Sequence, residues 1–236
     1  DQRPISRRNF IELCDILTVE DEKTFESLFR TLGFSLEWDI QYRTIDERSR
    51  AVAQQAFLRN VARGEAYQSE APGLWDVTFQ TAVAQAELEA RDYPGAFHRV
   101  AFHGADGPIH IETTRPELIP SVVALIAHPD DERYAGLFGT TVRSPLFDVE
   151  VPVVAHHLAE PDKGAGIAMC CTFGDLTDVT WWRELQLPMR SIITRNGRLQ
   201  AETPEWVAGG PGEELYAQSL AGKTTFGARE AVVSAL

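Results

Sequence analysis

Long apolar runs are missing from this chain of 236 residues, and nothing approaches the roughly 18 consecutive apolar positions that a membrane span needs. The opening stretch, 1–10, is too polar for a secretion signal. Cysteine is scarce. Cys14 and the adjacent Cys170 and Cys171 make no secreted disulfide framework, and no Cys-x-x-Cys or His-x-x-x-His spacing offers a zinc site. Positive charge is short as well: 22 Lys and Arg stand against 35 Asp and Glu, a formal net charge of -13. That balance excludes capture of nucleic acid by a broad basic face, so any RNA contact has to be local. Internal repeats and low-complexity segments are also lacking. What remains is ordinary globular composition, 44% apolar and 24% charged, enough for one or two domains with a real core. Such a chain reads as a soluble protein of a reducing, cytoplasmic compartment.

The first ninety residues carry helical patterning. Phe10, Leu13 and Leu17, then Phe25, Leu28 and Phe29, recur at helical spacing, with Thr18 as a plausible cap before Asp21 and Glu22, and Gly33 breaks the pattern. A second helix is predicted over 46–63 with Gly64 just past its end, and a third over the alanine- and glutamate-rich 81–90, with a turn at 71–75 between them. From about Tyr93 the texture changes to short apolar runs with alternation and more Pro and Gly, which places a boundary there. Strands are predicted over 97–102, 109–113, 122–127, 141–142, 149–155, 167–171 and 190–194. Helical insertions fit 130–135, 179–185 and 212–220, and 228–233 reads as helical too. So many short strands imply a closed or nearly closed barrel rather than an open parallel sheet, within an α+β chain.

Two polar constellations could carry chemistry. Glu112, Thr113, Thr114, Arg115, Pro116 and Glu117 crowd a strand end, where several hydrogen bonds could hold a small polar ligand. The plainer reading is a turn capped by Thr114 with Glu117 as the reciprocal partner of a capping box. Further on, Gly164, Ala165 and Gly166 precede a strand that leads into Thr172, Phe173, Gly174, Asp175, Leu176, Thr177 and Asp178. The glycines permit close backbone approach, and the two acids could hold an ammonium or a water, or simply cap a helix. A divalent-metal site there lacks further oxygen ligands. Arginines Arg183, Arg190, Arg195 and Arg198 follow the pair Trp181 and Trp182, a combination suited to a single-stranded RNA end, although the tryptophans also fit a helix core. His156 and His157 sit at a strand end without a third ligand, and read as surface residues.

The ordered set of segments is more specific than any one of them. Ile111-Glu112-Thr113-Thr114-Arg115-Pro116-Glu117, Ala127-His128-Pro129-Asp130-Asp131-Glu132-Arg133-Tyr134, Gly164-Ala165-Gly166 and Thr172-Phe173-Gly174-Asp175-Leu176-Thr177-Asp178-Val179 follow in that order. Together with Leu32-Gly33-Phe34-Ser35, Arg43-Thr44-Ile45-Asp46 and Thr81-Ala82-Val83-Ala84-Gln85-Ala86-Glu87, this resembles the valyl-tRNA synthetase family in its archaeal and actinobacterial variety. The resemblance covers nearly the whole chain.

It implies a β-barrel-like editing domain over 93–222, preceded by a helical flank of the class I catalytic body over 1–92 and followed by a return segment over 223–236. The family's His-x-Gly-His and Lys-Met-Ser-Lys-Ser signatures for ATP-dependent activation are not encoded here. ATP and magnesium are therefore expected only for a full-length enzyme, and no cofactor for this fragment. Many relatives place zinc-binding cysteines near Leu74, Trp75 and Asp76, where this chain has none, so no zinc is expected. The implied activity is hydrolysis of threonyl-tRNA for valine, with a non-catalytic docking module for the tRNA acceptor end as the alternative. The implied partners are that acceptor end with its aminoacyl ester and the rest of the synthetase in cis, with no membrane. Thr113, Thr114, Asp175 and Asp178 are the expected catalytic residues, with Asp178 receiving the substrate ammonium. Arg115, Glu117, Gly164, Gly166 and Thr172 are expected to bind substrate, and Arg183, Arg190, Arg195 and Arg198 to contact RNA. Where bacterial members carry a Lys on the strand and a Pro-Ala-His-Asp turn, this chain has Met169 and Thr172-Phe173-Gly174-Asp175, so the pocket floor is rebuilt. The physical need is plain: a hydrophobic pocket rejects an isostere bearing one extra hydroxyl poorly, and valine charging against threonine is itself the general example of that limit, at about a hundredfold. A second site that hydrogen-bonds the hydroxyl can do better.

Overall fold

A computed structural model describes residues 5–69, 72–89, 91 and 93–236. Positions 71 and 90 of the expected turn and third helix, and position 92 at the expected boundary, lie outside the described residues. The chain divides into two compact units, Asp1–Ser69 and Glu70–Leu236.

The first unit holds two helices, α1 (Arg7–Thr31) and α2 (Glu47–Ala62). Ser6 caps α1 by accepting from the Asn9 N–H, and the expected break at Thr18 does not occur, because its hydroxyl turns back onto the Asp15 carbonyl inside the helix. Asp46 caps α2. Both helices end in the same way: Gly33 and Gly64 take positive φ, and the following residues donate back to the carbonyls of Phe29 and Asn60. Neither helix buries a residue.

The second unit contains the core. A two-residue hairpin pairs β1 (Trp75–Asp76) with β2 (Thr81–Ala82), followed by a single 3-10 turn at Gln85–Glu87. The helix expected over 81–90 is thus replaced: strand pairing with Trp75 and Asp76 overrides the local propensity of a short Ala- and Glu-rich stretch. A six-stranded sheet then forms from β3 (His98–Gly104), β4 (Gly107–Thr113), β5 (Ala124–Ala127), β6 (Thr141–Arg143), β7 (Glu150–Ala155) and β8 (Ile167–Cys170), in the order β4-β3-β6-β7-β5-β8. All pairings are antiparallel except β5 with β7. The strands at the two ends of that order, β4 and β8, pack against each other without joining in hydrogen bonds, so the sheet rolls into a nearly closed barrel with one open seam. The fold is therefore the expected α+β, barrel-like one. No regular strand forms over 190–194; one isolated bridge, Ile193 with Leu199, takes its place.

Alternation positions the core. Val100 and Phe102 of β3, Ile109 and Ile111 of β4, and Val151 and Val153 of β7 point inward, and Tyr216, Leu220 and Val232 close the same cluster from the C-terminal segments. Those segments are α4 (Glu213–Leu215), which widens into a π-helical turn at Tyr216–Leu220, and α5 (Thr225–Ala235). Strand β5 is buried on both faces: Leu125 faces the barrel, and Ala124 and Ile126 face a second cluster with Cys170 and Trp181. That second cluster seats α3 (Leu176–Glu184) on the outside of the barrel. Among the described residues no helix is long and apolar enough to cross a membrane.

Candidate active site at the barrel seam

A cavity of about 240 Å3 opens at the seam, lined by the end of β4, the glycine loop at 164–166, β8 and the first turns of α3. Strand edges that do not pair leave backbone donors and acceptors facing such a space. Thr113, Thr114, Arg115, Gly164, Gly166, Asp175 and Asp178 of the expected site all line it. Glu117 and Thr172 do not.

The β4 end is a braced turn. Thr113 accepts from the Arg115 N–H through its hydroxyl (3.0 Å), and a 3-10 turn follows at Pro116–Ser121. The capping box read from Thr114 and Glu117 is not formed. Glu117 is fully buried, and its carboxylate takes two hydrogen bonds from Arg229 of α5 (2.9 and 2.8 Å) and one from Arg115 Nε (3.2 Å). Burial pushes the Glu117 carboxyl up, but the Arg229 hydrogen bonds and the charge of Arg115 outweigh it and hold the group below its ordinary value. Arg115 in turn donates to the Gly174 carbonyl (2.8 Å). Glu117 therefore aims Arg115; it is not placed to touch a ligand itself.

The β8 end is a second braced turn. Asp175 caps α3 by accepting from the Asp178 N–H (2.9 Å) and is exposed, while Asp178 is buried, 5% exposed. One oxygen of Asp178 accepts from the N–H groups of Gly174 (3.0 Å) and Cys171 (3.3 Å). A Cβ on Gly174 would lie 2.5 Å from that oxygen, so only glycine lets the carboxylate in. Burial, then the charge of Asp175, pushes the Asp178 carboxyl up to about 6, the two backbone donors offsetting part of this. Desolvation outweighs the backbone donors, though at about 6 the group still ionises at neutral pH. The two acids serve different backbone donors and do not form a shared pair of metal ligands. Burial also holds the thiols of Cys170 and Cys171 far above their ordinary value, so neither is a ready nucleophile.

The glycine loop is held from below. Arg133 bridges Asp131 and the Pro161 carbonyl (2.7 and 2.8 Å), and the Tyr134 hydroxyl donates to the Ala165 carbonyl (2.6 Å). Gly166, at φ +79, leaves no room for a Cβ between Arg133 and Pro161. Its N–H donates to the Lys163 carbonyl (3.0 Å), so that group is not free to stabilise an oxyanion.

A second cavity of about 340 Å3 shares Arg115, Leu118 and Cys171 with the first. Trp75, Phe173, Arg190 and Arg195 line it, with the Arg195 guanidinium over the Trp75 ring at 5.6 Å. Thr172 belongs here: it is buried at φ +61, a left-handed conformation that a β-branched residue adopts only under constraint, and its hydroxyl accepts from the Arg190 N–H (3.0 Å). Arg190 is half-buried and donates to the Val122 carbonyl. Arg183, on the last turn of α3, and Arg198, which donates to the Gly222 carbonyl (3.0 Å), are exposed and line neither cavity. The four arginines therefore split into two pairs.

Sequence reading missed Arg229, whose partner lies 112 positions away, and misplaced His156, which is 6% exposed rather than superficial. Lys163, which also lines the first cavity, carried no distinguishing local signal, whereas Met169 stands on the pocket floor where the resemblance put it.

The profile of the family described as tRNA synthetases class I (I, L, M and V) matches residues 1–216. Valine–tRNA ligases of Leifsonia xyli and Thermobifida fusca are each 68% identical over 100% of this chain, and that of Salinispora tropica is 61% identical over 99%. In each case the chain spans 27% of the relative's length. Among solved structures, a ternary complex of a LeuRS from Agrobacterium radiobacter with tRNA and LeuAMS is 16% identical, covering 75% of this chain and 32% of that one at a TM-score of 0.37, too low to support any inference. On the profile match over residues 1–216, the chain belongs to the class I tRNA synthetases of the I, L, M and V group.

Proposed function

We propose that this chain is the proofreading part of a valine-specific synthetase and hydrolyses threonine wrongly esterified to tRNA for valine. The observation that carries this reading is the pairing of two adjoining cavities that share the Arg115 wall. One is small and floored by a single buried carboxylate; the other is cationic and aromatic. An aminoacyl ester on an RNA end has the matching halves, an ammonium on the amino acid and stacked bases with phosphates beyond it.

In this arrangement Asp178 receives the α-ammonium, because a cation drawn out of water needs an anionic partner. Asp175 stands at the mouth. Thr113 and Thr114 supply hydroxyls to the substrate side chain and to the attacking water, a discrimination that size cannot give between isosteres. Gly164 and Gly166 let the loop that walls the cavity pack against Glu112, Arg133 and Pro161, and Arg115, aimed by Glu117, faces the ester. Water adds to the ester carbonyl, the C–O bond to the ribose breaks, and the proton passes to the ribose oxygen, releasing threonine and intact tRNA. No ATP or metal enters this step. Thr172 frames the RNA end, Arg190 and Arg195 hold it, and Arg183 and Arg198 meet phosphates farther out.

Comparing wild type with Asp178→Asn tests the assignment. Loss of the charge-assisted contact should cost about 2 to 4 kcal/mol, on the order of 30- to 1000-fold in kcat/KM for deacylation. Near-wild-type hydrolysis by the Asn variant would leave Asp178 only its tie to Cys171 and Gly174.

A further inference from the structure

Two walls of the first cavity meet at one buried imidazole. His156 stands just past β7, anchored by its own N–H to the Ala127 carbonyl at the end of β5 (2.9 Å). Its Nδ1 accepts from two donors, the indole N–H of Trp181 (3.1 Å) and the backbone N–H of Leu158 (3.1 Å). Its Nε2 lies 2.8 Å from the Glu184 carboxylate. With both donors on Nδ1, the proton must sit on Nε2 and be donated to Glu184, which fixes both the tautomer and the ring orientation.

The consequence concerns the cavity. Trp181 and Leu158 both line it, and Trp181 stands three residues after Asp178, on the next turn of α3. A single nitrogen thus pins the helix that carries the buried carboxylate and the loop at 158–159, both of which line the cavity. Trp181 is 5% exposed, so without this acceptor its N–H would be left unsatisfied in the apolar cluster outside the barrel. The His157 ring stacks on His156 at 4.5 Å and packs the imidazole from one side.

We infer that His156 is a positioning residue for this cavity, setting the distance between α3 and the 158–159 loop through Nδ1 without touching the substrate. The inference rests on the proofreading reading for its kinetic consequence, but its geometric content stands apart from it.

The two ring nitrogens can be separated by substitution. His156→Asn places an amide oxygen near Nδ1 and keeps the acceptor; His156→Gln places its amide near Nε2 and loses it. The whole 236-residue chain, labelled with 15N, should show one indole N–H resonance for each of its five tryptophans, and Trp181→Phe would assign the one in question. The Asn variant should keep that resonance near its wild-type position and retain most of the deacylation of tRNA for valine charged with threonine. The Gln variant should move the resonance and lower kcat/KM roughly 10- to 100-fold, as misplacement of site groups does. A Gln variant that matches wild type in both, or an Asn variant as impaired as Gln, would overturn the inference. Should wild type show no deacylation, the proofreading reading fails, and the indole resonance in the two variants alone decides the positioning role. Should the Gln variant not fold, Glu184→Ala asks the same question from the half-exposed end, where an unmoved indole resonance and wild-type kcat/KM would count against it.

Discussion

Asp178 sits in a trade between desolvation and use. Its folded value of about 6 lies above the ordinary 3.8, so between those pH values the folded protein binds more protons than the unfolded chain. The stability this gives at low pH is lost as pH rises through that window, at most about 3 kcal/mol for a shift of this size. Asp178→Asn removes the effect while keeping an oxygen for the Cys171 and Gly174 N–H groups. Denaturation curves should show the Asn variant at least as stable as wild type at pH 7 and losing that advantage as the pH approaches 4. Deacylation by wild type should fall below about pH 6, where the carboxylate that holds the ammonium becomes protonated. Gly174→Ala offers an independent check at the same scale. Its backbone is not left-handed, so only the missing space matters: the new Cβ displaces the Asp178 carboxylate, and kcat/KM should drop by an amount similar to that of Asp178→Asn, measured in the same assay.

At the scale of elements, α5 reaches back to brace the site. Arg229 and Arg115 share the buried Glu117, and Arg115 passes the restraint to the Gly174 carbonyl. Removing Arg229 leaves the buried Glu117 with only the longer bond from Arg115 (3.2 Å), so Arg229→Ala should cost about 3 kcal/mol in urea unfolding, and Glu117→Gln should cost less, since it removes the charge left short of partners. No local rule could have found this tie, because the sequence around Glu117 fits a capping box equally well and its true partner lies 112 residues away. The same limit explains the other departures. The stretch after Thr81 has helical composition, yet a partner strand at Trp75–Asp76 decides its state. The strand predicted at 190–194 has the right residues, but the chain there turns to hand the Arg190 N–H to Thr172. Elements whose signals are local were legible: the ends of the helices at Gly33 and Gly64, the start of α2 to within one residue, and the alternation in β3, β4 and β7. The apolar periodicity of α1 was read correctly, though it runs on through Thr18 as one helix, and neither α1 nor α2 buries a residue.

Across the whole molecule, the net charge of -13 makes the cations at the second cavity count. Arg195 is exposed and set over Trp75, whereas Arg190 is committed to Val122 and Thr172, so the two should respond differently to charge reversal. Arg195→Glu should weaken tRNA binding and reduce the slope of log K against log salt by about 0.7 to 0.9 for a lost phosphate contact, with the fold intact. An unchanged slope would remove Arg195 from the RNA side. Arg190→Glu should instead destabilise the turn at Thr172, visible as a lower Tm before any effect on binding is considered. The order of the motifs foretold that Thr113, Thr114, Arg115, Gly164, Gly166, Asp175 and Asp178 come together, but not that Glu117 and Thr172 stand apart, nor the geometry: which acid is buried, which side chain aims Arg115, and which histidine holds the helix all depend on contacts between elements far apart in the chain. The central claim, that these contacts build a hydrolytic sieve, is tested most directly by offering the chain tRNA for valine charged with threonine and, separately, with valine. Rapid release of threonine with valine left in place is the expected result; equal release of both, or tight tRNA binding with release of neither, would contradict it.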